Sequence, residues 1–386
     1  MAPLPTAREM IGRLVAEPSV SSHEAALDQP NVAVIELLAE WAEATGFECE
    51  LCEVPERPGK KNLVARLGHG DGGLVLSGHT DTVPFDEDRW ASDPFRISER
   101  DGRIHGLGTA DMKSFLALVL EAASAFSAGQ LKEPLVLLAT ADEESGMYGA
   151  RALLDRGEAL GRRAIIGEPT SLVPVRMHKS VEMDAIRVVG RSGHSSNPAL
   201  GNSALEGMRI VLDEVVRFRS ELWQQHRHAA FEVEGPTLNL GVLRAGDAPN
   251  RICAHAELLI DVRLLPGMSP EAERDRLRER IVKALDGTGL DVTLDPLFEH
   301  VPAFETPADA DLVRATESMT GARARAVAFA TEGPFLSRLG LETVVLGPGS
   351  IDVAHQPDEF LPADSIAPTV ELLRKLVRRY CVEDVT

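Results

Sequence analysis

Leu74-Val75-Leu76-Ser77-Gly78-His79-Thr80-Asp81-Thr82-Val83-Pro84 holds the transition that decides the fold, an apolar strand that ends where a polar loop begins. In open α/β sheets the carboxyl edge of such a strand is where ligands bind. The same texture recurs on either side. A helical pattern at 32–45 and a strand at 63–67 precede it, and a helix at 112–127 with strands at 135–140 and 164–166 follow. Short apolar runs alternating with longer helical patterns predict an α/β sheet with helices on both faces. From about Val181 the pattern changes to a strand at 183–189, a helix at 203–225, strands at 237–244 and 255–265, and a helix at 270–285. That run carries all but the last strand of a β-α-β-β-α-β order and predicts a ferredoxin-like α+β unit. After Pro296 the α/β texture returns, with strands at 324–330 and 343–346 and a last helix at 365–380. The expected organisation is a mixed-sheet domain built from residues 1–178 and 295–386, with residues 179–294 inserted.

Composition narrows the function classes. The 386 residues are 44% hydrophobic, and no segment reaches the roughly 20 apolar residues that span a bilayer. Neither a membrane nor a secretory route is expected, and the cytoplasm is the expected compartment. Sixty acidic against forty basic residues give a net charge of −20, which repels phosphate backbones, so nucleic acid is not an expected partner. Four cysteines do not make a disulfide framework, and Cys49-x-x-Cys52 stands without a second pair.

Five potential ligands occupy the same kind of place, just beyond a strand or at a helix start. His79 ends the opening strand, and Asp81 lies two residues on, on the same face of an extended chain. Gly106-Leu107-Gly108-Thr109-Ala110-Asp111 opens a helix. It resembles a dinucleotide fingerprint with a carboxylate where the third glycine belongs, and that carboxylate opposes a pyrophosphate. Asp111 is then a helix cap or a ligand. Asp142-Glu143-Glu144 follows a buried-strand run, and adjacent carboxylates suit a division between metal ligation and proton transfer. Glu168 and His355 close two further strands. Two histidines with carboxylates form a nitrogen and oxygen set that suits zinc, with cobalt or manganese as substitutes. No G-x-S-x-G elbow and no P-loop is present.

The segments S-G-H-T-D-T-V-P, G-L-G-T-A-D-M-K, A-D-E-E-S-G, G-E-P-T, S-G-H-S-S and A-H-Q-P-D-E, in this order over most of the chain, resemble the M20 metallopeptidase and deacylase family. The resemblance implies two divalent metal ions, zinc first and cobalt second, with Asp111 bridging them. His79 and Glu168 would hold one metal, and Glu144 and His355 the other. It implies Glu143 as general base and Asp81 as the partner of His79. His194 would support the oxyanion across a dimer interface, with Asn250 and Arg263 gripping the substrate carboxylate. The inserted domain becomes a lid and dimerisation domain of a homodimer. The implied substrate is a small N-acyl amino acid, N2-acetyl-L-ornithine first, with succinyl-diaminopimelate or another aminoacylase or carboxypeptidase substrate as the alternative. One departure stands out: Lys179-Ser180 replaces the Lys-Gly common in the family.

Overall fold

The structure is a computed structural model that describes residues 4–157 and 159–383. The chain divides into two compact units. One comprises the chain up to Arg176, Thr306–Arg325 and the chain from Thr331 on; the other comprises Met177–Glu305 and Ala326–Ala330.

The first unit is built on a mixed sheet in the order Glu48–Glu53, Lys61–Leu67, Leu135–Thr140, Leu74–His79, Arg163–Pro169 and Glu342–Gly347. The last four strands run parallel, and the first two are antiparallel additions at the edge. Parallel strands are covered on both faces and therefore read as continuous apolar runs. Every residue of Leu74–His79 and Leu135–Thr140 is buried. Helices Ala7–Ala16, Val32–Ala44, Lys113–Ala123, Asp311–Thr320 and Ile366–Val377 share the main core with Leu63, Leu74, Leu76, Leu137 and Val344. Tyr148–Arg156 and Gly333–Arg338 pack together, the latter against Glu342–Gly347, so both faces carry helices as the alternation predicts.

Some element ends differ from their sequence readings. The helix read to 127 stops at Ala123, because Ser127 and Gln130 form a capping box that starts a separate short turn at Ala128–Gln130. The last helix is α-helical only over Ile366–Val377 and continues as a wider π turn through Val382. The strand read at 324–330 shortens to Arg325–Val327.

Gly167 shows how tightly the layers meet. A Cβ there would overlap the ring of Phe115 on helix Lys113–Ala123. Gly167→Ala must push that helix off the sheet, and overpacking of this kind costs about 1–3 kcal/mol. Denaturant unfolding should show a lower midpoint at unchanged slope; unchanged stability would mean that the Phe115 ring moves freely.

The second unit carries an antiparallel sheet in the order Thr237–Ala245, His255–Arg263, Glu182–Val189 and Asp291–Pro296. Helices Ala204–Gln225 and Pro270–Ala284 cover one face and bury Val188, Phe218, Leu258 and Ile281 in a separate core. Strand His255–Arg263 alternates buried and partly exposed residues, as one covered face requires. Ser180 is fully buried: its hydroxyl accepts from Leu264 N at 2.8 Å and donates to Glu182 Oε1 at 3.1 Å. A glycine could make neither bond.

Candidate metal centre

The first unit gathers its acidic and imidazole side chains at the carboxyl ends of the parallel strands, the edge where such sheets bind ligands. His79 is the last residue of Leu74–His79 and lies in register with Thr140, the last residue of the neighbouring strand. Glu143 and Glu144 sit in the turn that follows Thr140. Glu168 is near the end of Arg163–Pro169, and His355 lies in the loop after Glu342–Gly347. Asp111 occupies the loop ahead of helix Lys113–Ala123, and its peptide bond to Met112 is cis. The helix is capped by Met112 without a side-chain bond, so Asp111 is not a cap.

The two oxygens of Asp111 face in different directions. Oδ1 lies 3.0 Å from His79 Nε2, and Oδ2 lies 3.2 Å from His355 Nε2. His355 Nε2 is also 3.1 Å from Glu144 Oε1. His79 Nδ1 meets the backbone oxygen of Asp81 at 3.0 Å, an acceptor only, so Nδ1 carries hydrogen and the Nε2 lone pair of the neutral ring points at Asp111. Two acceptors face each other there, and a cation must lie between them: a proton, or a metal ion. Donor atoms of His79, Asp111 and Glu144 all lie within 4.8 Å of one another. Glu168 is 5% exposed, and its Oε1 is buried with no hydrogen-bond partner. Such an atom carries a desolvation cost unless something positive meets it. The donor set therefore fits hard or borderline divalent cations, and the spread of Asp111 between two imidazoles fits a pair of them.

Around these side chains the loops are fixed by buried charges. The Asp81 carboxylate accepts from Glu143 N at 3.2 Å and Glu144 N at 3.1 Å, and lies 3.7 Å from His79 Nδ1. It thus organises the turn of the two glutamates, while its own main-chain oxygen holds the imidazole. Glu359 does the same for the other loop. It accepts from Ala110 N at 2.7 Å and Asp111 N at 3.0 Å on Oε1, and from Gly108 N at 3.1 Å on Oε2. Glu332 is buried and takes Thr140 Oγ1 at 2.9 Å on one oxygen, leaving the other unpartnered. His355 and Asp142 are held at φ of 59° and 63°, in the left-handed region where non-glycine residues concentrate at functional sites.

Sequence reading missed Glu332 and Glu359 as parts of this site. Glu359 ends the A-H-Q-P-D-E segment, and three backbone N–H groups at a glycine-containing loop form the kind of concave donor cluster that recruits an anion. Nothing local marks Glu332.

Without a metal, the cluster is a store of protons. Burial raises Glu143, Glu144 and Glu168, with the charges of Glu168 on Glu143 and of Asp111 on the other two adding to it. Burial also brings Glu332 to about 7 and Glu359 to about 8. For His79, burial opposes the charged form but is outweighed by the hydrogen bond to Asp111 and the surrounding carboxylates, so its pKa is raised. His355 rises to about 10 through its bonds to Asp111 and Glu144. Burial would raise Asp111, yet the two imidazoles hold it below the usual carboxylate range.

A pKa raised on folding means that the native state binds more protons than the unfolded chain above the unfolded value. Stability is then fully present below that value and lost as pH rises through the folded one. Glu332 acts from 4.5 upward to about 7, Glu359 from 4.5 to about 8 and His355 from 6.5 to about 10, and Glu143, Glu144, Glu168 and His79 are raised with the same sign. Each fully buried carboxyl contributes at most about 1.4 kcal/mol per pH unit. Metal-free protein should therefore melt at lower temperature near pH 9 than near pH 6. Metal loading displaces these protons and should flatten or reverse the trend; a metal-free melting point that climbs over this range would contradict it.

His194, Asn250 and Arg263 belong to the second unit. Ser196 donates to His194 Nδ1 from N at 3.2 Å and lies 2.7 Å from it through Oγ, while Ser195 N donates to Asn250 O at 3.1 Å, so the two loops lie side by side. Arg263 is held by Asp261 two residues back, with Nε and Nη2 donating to Oδ1 and Oδ2 at 2.8 and 2.9 Å. Cys49 and Cys52 lie on edge strand Glu48–Glu53 and form no disulfide. Among the described residues no helix is long and apolar enough to cross a membrane.

Acetylornithine deacetylase of Pasteurella multocida is 44% identical over 381 residues, covering 99% of this chain and 100% of that protein. Acetylornithine deacetylase of Proteus mirabilis is 45% identical over 381 residues, 99% of this chain and 98% of that one. A solved structure from Bacillus subtilis, described as a dinuclear metal binding peptidase of the M20 family, shares the fold with a TM-score of 0.67 at 16% identity, covering 96% of each chain. The model of peptidase family M20/M25/M40 matches residues 75–379, the span that carries every proposed ligand, and the chain belongs to that family.

Proposed function

We propose that this chain is a dinuclear metal-dependent amidohydrolase that removes the acetyl group of N2-acetyl-L-ornithine, giving L-ornithine and acetate. The observation that carries the reaction is the Asp111 carboxylate, which offers one oxygen to His79 and the other to His355. The choice of substrate rests on the 44–45% identity to acetylornithine deacetylases over nearly the whole chain. The four cysteines, none of them in a disulfide, agree with a reducing compartment, and we place the enzyme in the cytoplasm.

In this reading His79 and Glu168 would hold one metal ion, Glu144 and His355 the other, and Asp111 would serve both. Zinc is the first choice for this donor set and cobalt the second. When bound, a pair of divalent ions lowers the pKa of a water toward neutrality and polarises the acyl carbonyl. Glu143 takes the water's proton as the water oxygen adds to the acyl carbonyl carbon. Its buried setting favours keeping that proton until the amide bond breaks, when Glu143 passes it to the departing nitrogen, which cannot leave as an anion. Asp81 keeps Glu143 and Glu144 in place through their backbone N–H groups and fixes the imidazole of His79 through its main-chain oxygen. We assign His194 to the developing oxyanion, and Asn250 and Arg263 to the substrate carboxylate, for which a guanidinium fork is suited. Asp261 already occupies part of that fork, so substrate must compete with it. Residues 179–294 serve as lid and dimerisation domain of a homodimer.

The test is ornithine release by metal-loaded protein from N2-acetyl-L-ornithine, run beside N-succinyl-diaminopimelate. The acetyl compound should be turned over with a kcat/KM at least about tenfold higher, the size of discrimination a single acyl pocket provides. Preference for the succinyl compound would keep the chemistry and move the substrate.

A further inference from the structure

Lys60 is 2% exposed, yet it lies outside every motif that carries the proposed chemistry. Its Nζ donates to Ser21 Oγ at 2.6 Å, Asp28 Oδ1 at 2.7 Å and Asp142 Oδ1 at 2.8 Å, which uses all three ammonium hydrogens. Asp142 is fully buried and immediately precedes Glu143 and Glu144. Its other oxygen lies 3.3 Å from Arg57 Nε, without hydrogen-bond geometry, and Arg57 in turn covers the ring of Tyr148 at 4.5 Å. Two cations and two carboxylates thus balance in one cluster, with Lys60 and Asp142 buried and Arg57 and Asp28 partly exposed.

The cluster grips the turn on the side opposite Asp81. Asp142 stands at φ 63°, and its backbone oxygen accepts from Gly146 N at 3.1 Å and Met147 N at 2.7 Å, closing the turn that presents the two glutamates. Asp81 binds the N–H groups of Glu143 and Glu144 from within the site. The 2.8 Å bond from Lys60 is the shortest that holds the Asp142 side chain, against 3.5 Å from Ser21 Oγ and the 3.3 Å approach of Arg57 Nε, and it holds the residue whose left-handed backbone opens the glutamate turn. Ser21 and Asp28 anchor Lys60 to a segment that is itself bonded to the loop after His79, through Ser21 N to Thr82 O at 2.9 Å and Thr82 N to Ser19 O at 3.1 Å. The same cation therefore links the His79 loop to the glutamate turn.

We propose that Lys60, acting through Asp142, is the positioning residue that sets the geometry of the Glu143–Glu144 turn. The proposal rests on the assignment of Glu143 as general base. Lys60 touches neither substrate nor metal, so its loss should misplace Glu143 without altering what substrate binds to. A displacement of about 1 Å in a proton-transferring group is worth roughly 10²-fold in rate.

Two variants test this. Lys60→Met removes the cation but strands buried carboxylates; Asp142→Asn keeps the shape and the acceptor oxygen while removing the charge that Lys60 holds. Steady-state kinetics on N2-acetyl-L-ornithine are read together with hydrogen exchange of the 143–147 amides in metal-free protein. The expected result for Asp142→Asn, and for Lys60→Met if it folds, is a kcat lower by roughly 10- to 100-fold with KM within about twofold, and faster exchange confined to the turn. A kcat within about twofold of the parent and unchanged exchange in Asp142→Asn would overturn the proposal. A parent protein that does not hydrolyse acetylornithine at all would defeat the functional reading instead; faster exchange in the variants would then still support Lys60 as the determinant of the turn.

Discussion

Glu143→Gln is expected to fold and take up metal as the parent does, while kcat falls by about 10²–10⁴-fold and KM stays nearly unchanged. The glutamine keeps the backbone N–H that bonds to Asp81, at 3.2 Å in the parent, and fills nearly the same volume, so the turn is preserved. It cannot accept a proton. None of the contacts that place the five proposed ligands uses the Glu143 side chain, which makes this substitution the cleanest separation of proton transfer from metal binding. Circular dichroism, metal content and steady-state kinetics on one preparation decide it. A kcat within tenfold of the parent would remove Glu143 from the role of base.

The second large effect belongs to Asp111. Asp111→Asn replaces two equivalent anionic oxygens with one oxygen and one amide, so the side that gains N–H donors satisfies an imidazole lone pair directly and no longer needs a cation there. The surrounding carboxylates of Glu144 and Glu168 remain, but the group placed between both histidines is neutral. Groups that merely support metal ligands typically contribute about 10–100-fold to affinity or activity, and a carboxylate shared by two ions should exceed that. We expect fewer than two metal ions retained per chain after gel filtration and an activity at least about 10²-fold lower. Two tightly held ions with full activity would show that Asp111 is not shared.

Much of this was legible because the parallel strands are buried on both faces. Leu74–Leu76 and Leu135–Ala139 announce themselves as apolar runs, and the polar residues that follow them have nowhere to go but the sheet edge. His79, Asp111, Glu144 and His355 are found there in mutual contact, and Glu168 nearby with an orphaned oxygen. Periodicity served the second unit as well, since strand His255–Arg263 has one covered face and each helix one apolar stripe.

What the sequence did not disclose are the groups that act by holding backbone. Glu359 bonds three N–H groups some 250 positions earlier, and Lys60 reaches Asp142 across 82 positions. Neither pairing has a local period or spacing to betray it. The geometry at Asp81 had the same character. Its place two residues after His79 suggests a carboxylate holding an imidazole, whereas its main-chain oxygen makes that bond and the carboxylate reaches the glutamate turn. Alternation places a side chain on a face but does not choose its partner there. Element ends also escaped where a short capping box interrupts an apolar pattern, as Ser127 does after Ala123.

In the proposed function, hydrolysis depends on two metal ions held at the carboxyl edge of the first unit. The most direct test is to strip the protein with a chelator, confirm by elemental analysis that it is metal-free, and add zinc stepwise while following ornithine release from N2-acetyl-L-ornithine. No turnover is expected at the start, and activity should reach its maximum at two ions per chain, with cobalt able to replace zinc. Full turnover by the stripped, metal-free protein would contradict that dependence.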